Sequence, residues 1–179
     1  MSAQSQSKVL PWIAFADQFR DAIRVGFNWK RFFAEKWPIE TVTLSSRPQL
    51  ARCFVPWYIG PQGNEVAYDD PIAVPMRLTD VPKSIPLLNE ERRADVYDYV
   101  DQFKSEAATV RFAVPTYSLP DDHHFVLDRN HRLSALTLES VPFEVTLWNV
   151  RGPLESDGLL DLIHWLPPRK GTTPISDKS

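Results

Sequence analysis

Between residues 110 and 150 the apolar side chains change rhythm twice, and few chain paths can accommodate that. VRFAVPTYSL (110–119) and HHFVLD (123–128) read as strands, with the turn-forming PDD (120–122) between them. In HRLSALTLES (131–140), Leu133, Ala135, Leu136 and Leu138 face inward on a helix. VPFEVTLWNV (141–150) then alternates Phe143, Val145 and Leu147 with Glu144, Thr146 and Trp148, as a half-buried strand does. A hairpin, a helix and a further strand predict an α/β (α+β) domain, a small mixed sheet with surrounding helices.

Upstream, Phe15, Phe19, Ala22 and Ile23 form one face of a helix over about residues 12 to 25, closed by Gly26. Asn28 caps a second helix whose stripe is Trp29, Phe32, Phe33 and Trp37, stopped by Pro38. ETVTL (40–44), ARCFVPWYIG (51–60) and EVAYDD (65–70) read as short strands, the last two a hairpin across Gly60 to Asn64. Pro56 makes the middle one an edge strand or a kinked one. A third helix starts after the cap Asn89 and runs over residues 90–107, with Val96, Val100 and Phe103 buried. SDGLLDLIHWL (156–166) is a last short helix. Residues 1–8 and 167–179 are polar tails, leaving a single domain over 9–166.

Twenty Lys plus Arg against 23 Asp plus Glu leave a net charge of -3, which disfavours a chain whose whole surface attracts nucleic acid but leaves room for a local basic pocket. No apolar run approaches the roughly 18 residues of a membrane span. The start MSAQSQSKVLPW lacks the pattern of a secretory signal, and Cys53 is the only cysteine, so a reducing cytosol is expected. Cys53 itself sits in an apolar context suited to a buried, inert thiol.

The chemistry concentrates in FVLDRNHR (125–132), where a strand gives way to a helix. A helix start leaves backbone N–H groups unpaired and favours negative charge, so it is prepared for a phosphate. Arg132 adds a planar fork suited to phosphate oxygens, and His131 a further donor. A cation at a helix start opposes the dipole unless an anion sits in front of it. Asp128 has three readings: a ligand for Mg²⁺ riding on the phosphates, a general base, or a structural cap paired with Arg129 or Arg132.

The stretch from about Ala94 to Pro153 resembles the ParB/sulfiredoxin-like superfamily. The matching parts come in order: the helix around ADVYDYVDQF, the strand FAVPTYSL, the turn of FVLDRNHRLSAL, and SVPFEVTLW. The resemblance covers about a third of the chain. It implies a ParB/sulfiredoxin-like core with an extra N-terminal helical and strand region. It also implies a bacterial protein binding a nucleotide tri- or diphosphate with Mg²⁺. Asn130, His131 and Arg132 would then hold phosphate and Asp128 would serve as base or metal ligand. The family pattern D-G-N-H-R has Gly where this chain has Arg129, which would reach the ligand or block it. Sulfiredoxins carry a catalytic Cys where this chain has Asn130, so sulfinic-acid reduction is not expected. A partitioning protein would need a helix-turn-helix domain, for which the stretch after Pro153 is too short.

Three functions follow from the residues and the resemblance: a phosphotransferase or phosphodiester hydrolase, a nucleotide-sensing module without turnover, and an accessory or immunity-type factor whose aromatic N-terminal half meets a protein partner. Asp121, Asp122, His123 and His124 read as a polar turn or as metal ligands, with one histidine sharing a face with the neighbours of Asp128. Glu90, Glu91, Arg92 and Arg93 read as a solvated surface, and His164 as a packed histidine. Residues 52–60 read as a pocket wall or an edge strand, and Tyr117 as core or as a platform for a base.

Overall fold

The computed structural model describes residues 9–10, 12–106 and 108–167. The tails expected at 1–8 and beyond 167 lie outside them. In chain order the elements are β1 (Val9–Leu10), α1 (Trp12–Phe19), α2 (Trp29–Glu35), β2 (Ile39–Leu44), α3 (Arg47–Leu50), β3 (Cys53–Ile59), β4 (Glu65–Val66), β5 (Val74–Arg77), α4 (Val81–Ser84), α5 (Glu90–Ser105), β6 (Val110–Ser118), β7 (His124–Val126), α6 (Asn130–Leu138) and β8 (Phe143–Val150). The strands form one mixed sheet in the order β1-β2-β8-β6-β7-β3-β4, with β5 also paired to β3. β6–β8 and β3–β7 are parallel and the other pairs antiparallel.

Alternation along the strands sends side chains to two cores. Val55, Trp57, Val114 and Val126 join Val96, Val100 and Phe103 of α5 and Leu133, Ala135 and Leu136 of α6. Phe54, Tyr58, Tyr117, Phe125 and Leu127 join Phe15, Phe19 and Phe32 in the other. The inward set Phe143, Val145 and Leu147 of β8 is buried as its alternation predicts. Asn28 and Asn89 cap α2 and α5, accepting from the amides of Arg31 at 3.0 Å and Arg92 at 2.9 Å.

Several expectations change. α1 ends at Phe19 rather than near residue 25. Residues beyond it are drawn out of the helix by the C-terminal segment: Asn28 N–H donates to Gly158 O, Leu160 N–H donates to Gly26 O, and Phe27 bridges Leu159. Gly26 permits this approach, since a Cβ there would lie 2.6 Å from Leu160 Cγ. β3 is kinked, with a register shift between Val55 and Tyr58 around Pro56, but it is an interior strand between β7 and β4–β5. The last helix is a 3₁₀ turn at Leu160–His164. β5, α3 and α4 were not expected; each spans only four residues, too few to show a period. No described helix is long and apolar enough to cross a membrane.

Candidate functional site

The turn between β7 and α6 is built on Arg129, which adopts a left-handed conformation at φ 64°, ψ 23°. This is the place of glycine in the D-G-N-H-R pattern, and a side chain there costs roughly 1–2 kcal/mol. Arg129 offsets that cost locally. Its Nη1 donates to Ala113 O at 2.7 Å, and its guanidinium lies 5.4 Å from the Phe19 ring. Arg129 is therefore engaged in holding the turn to β6 and does not line the cleft described next.

The Arg129 carbonyl accepts from Leu133 N–H at 2.9 Å and so opens the helix, but no side chain caps its N-terminus. Asp128, which could have done so, instead lies 4.0 Å from Arg129 Nε. Together with Asn130 and His131 it lines an open cleft of about 450 Å³ whose other walls include Arg24, Trp57 and Arg92. Asp128, Asn130 and His131 are thus brought together at an uncapped helix start.

Arg132 is not part of this group. One helical position on from His131, it points between rings, 4.5 Å from Phe112 and 5.9 Å from Tyr99, and its buried Nε has no hydrogen-bond partner. Arg132, expected on phosphate, thus lies outside the cleft lining, because successive helical positions point to different faces.

Arg24 and Arg92 take the place of those two guanidinium groups in the cleft. Arg92 pairs with Glu65 at 2.6 Å and lies over the Trp57 ring, so it is not the solvated residue that its E-E-R-R context suggested. Arg24 is exposed and makes no ion pair among the described residues. His131 sits with its ring 5.3 Å from Trp57 and its Nε2 3.9 Å from Asp95 Oδ2. Burial holds its imidazole below the ordinary value, opposed by Asp95. No local signal marked Arg24 or Arg92, because both reach the cleft from elements distant in sequence.

Neither His123 nor His124 lines the cleft. His123 approaches Pro120 O and Arg77, whereas His124 is buried against Asn149 Oδ1 at 3.1 Å, an oxygen that also accepts from Thr116. The turn before them is made by Asp121 and Asp122, both at positive φ. Among the described residues no three His, Cys, Asp or Glu side chains are grouped to hold a metal. Tyr117 is core, its hydroxyl donating to Pro153 O at 2.7 Å. The Cys53 thiol is fully buried, and burial pushes it up to about 12. Comparison with protein-family models, curated proteins and solved structures finds no match for the chain.

Proposed function

We propose that this chain binds a nucleotide through its phosphates at the start of α6, as a ParB/sulfiredoxin-like protein would. One observation carries the reading. Arg24, Arg92, Asn130 and His131 line the same cleft as an uncapped helix N-terminus, so cationic side chains, fixed dipoles and hydrogen-bond donors face one volume. A nucleotide di- or triphosphate, carried with Mg²⁺, supplies the negative charge that such a surface favours. Asp128 is the one acid at this wall of the cleft. It suits either a water-bridged Mg²⁺ on the phosphates or the proton of an attacking hydroxyl, which makes phosphoryl transfer or phosphodiester hydrolysis the reaction class. A nucleotide-sensing module without turnover uses the same contacts and omits the acid's role.

Thermal melting with ATP, ADP, CTP and GTP, with and without Mg²⁺, tests the binding step. Stabilisation by at least one nucleotide, reduced in Arg24→Ala and His131→Ala, is expected. No stabilisation by any of them, or stabilisation indifferent to both substitutions, overturns the reading. Phosphate release or cleavage of a phosphodiester, lost in Asp128→Ala while nucleotide still binds, separates the enzyme from the sensor.

A further inference from the structure

The groove does not end at Arg92. A second cavity, of about 370 Å³, shares Arg24, Val25, Pro56, Trp57 and Arg92 with the first, so both arginines stand on the common wall. Each volume is of small-molecule size, about 300–1,000 Å³. The second lining is different in kind: Tyr58, Val66, Tyr68 and Leu160, with the acids Glu65 and Asp161.

Asp161 is the informative residue. It is 5 % exposed, and the Tyr58 hydroxyl donates to its Oδ1. Its own backbone N–H also donates to the carboxylate. A buried carboxylate is costly unless its oxygens are satisfied, and two donors leave part of its acceptor capacity open, so on the wall of an open cavity it favours a ligand that donates N–H or O–H. The surrounding aromatic wall is held in place. Tyr58 stacks on His164 at 4.8 Å, and His164 Nε2 lies 2.7 Å from Tyr68 O. Glu65 is engaged by Arg92, which orients that guanidinium rather than leaving a second free acid.

The groove therefore has cations at its middle and an aromatic chamber with an acceptor at one end. A ligand complementary to it carries its anion at one end and hydrogen-bond donors on a flat body at the other. We propose that the second cavity is the nucleoside subsite of a nucleoside di- or triphosphate. The phosphates lie at Arg24, Arg92 and the start of α6, and a sugar hydroxyl or base amine donates to Asp161. This rests on the phosphate reading above and adds to it where the nucleoside goes.

The test compares calorimetric titrations of the full chain with ATP, GTP, CTP and inorganic tripolyphosphate, in Mg²⁺. The wild type is expected to bind at least one nucleotide more tightly than tripolyphosphate. Asp161→Asn, which keeps the shape and an acceptor for Tyr58, weakens that nucleotide by about tenfold and leaves tripolyphosphate unchanged. Ala67→Trp, at an exposed position on the chamber wall, has the same selective effect without touching the buried pair. Arg24→Ala weakens both ligands. Equal affinity of the wild type for nucleotides and tripolyphosphate overturns the subsite and leaves the phosphate cleft standing. So does full nucleotide affinity in either Asp161→Asn or Ala67→Trp. Binding of neither ligand by the wild type overturns the phosphate reading, and the subsite with it.

Discussion

The Arg92 guanidinium lies 5.0 Å from the centroid of the Trp57 ring, and that tryptophan is only 2 % exposed. His131 meets the same ring, so α5, β3 and α6 are joined at one aromatic side chain beside the cleft. Arg92 is kept there by two attractions, the ring face and Glu65. Arg92→Ala is expected to lower stability by about 1–2 kcal/mol, since both are lost and Glu65 keeps only its bonds from Asn89. Urea unfolding measures it, and an unchanged midpoint would show that the contact is not formed in solution.

Arg129 has a backbone that favours glycine and a side chain that is nonetheless engaged. Arg129→Gly and Arg129→Ala both lose the bond to Ala113 O, but only alanine keeps the left-handed strain. The alanine variant should be less stable than the glycine variant by about 1 kcal/mol. Denaturant titration of the pair decides it. The reverse order would contradict the turn geometry.

Burial depresses the imidazoles of His131 and His124. The unfolded chain binds these protons near about pH 6.5, before the folded chain does, so their contribution to stability is whole above that pH and is lost as pH falls below it. His131→Gln should shrink the stability difference between about pH 7.5 and about pH 5.5. A phosphate in the cleft has the opposite preference, because it favours the protonated ring. Nucleotide affinity should therefore rise as pH falls toward 6, about, and rise less in His131→Gln. Identical pH profiles for the two proteins would remove His131 from the phosphate contacts.

At the other core, a Cβ on Gly152 would collide with the Tyr117 hydroxyl and lie 2.8 Å from Trp37 Cε3. Gly152→Ala is expected to cost about 1–3 kcal/mol through overpacking. Tyr117→Phe alone loses the bond to Pro153 O, worth about 1 kcal/mol. In the double variant the closest of these contacts is gone, although Tyr117 Cζ at 2.7 Å and Trp37 Cε3 remain, so the two losses should add to less than their sum. Strict additivity, measured by urea unfolding, would place these groups out of contact.

Much of the architecture was legible in local pattern. The caps Asn28 and Asn89, the hairpin at Gly60–Asn64, the buried stripe of α5 and the alternation of β8 all come from residues a few positions apart. What local pattern left open or misplaced was decided at long range. α1 is shortened because Gly158 and Leu160 bind the backbone at 26–28, and β3 is interior because β7 pairs with its first two residues.

The site divides the same way. That Asp128, Asn130 and His131 lie together could be read from the sequence because a strand-to-helix turn is a local event with its own residue chemistry. Which cations face that turn was not written in any neighbouring residues. Arg129 and Arg132, adjacent in the chain, are carried off by a left-handed turn and by helical rotation, while Arg24 and Arg92 arrive from separate elements. Spacing along a chain fixes the direction of a side chain only relative to its own element; the packing of elements against one another determines which charges share a cleft.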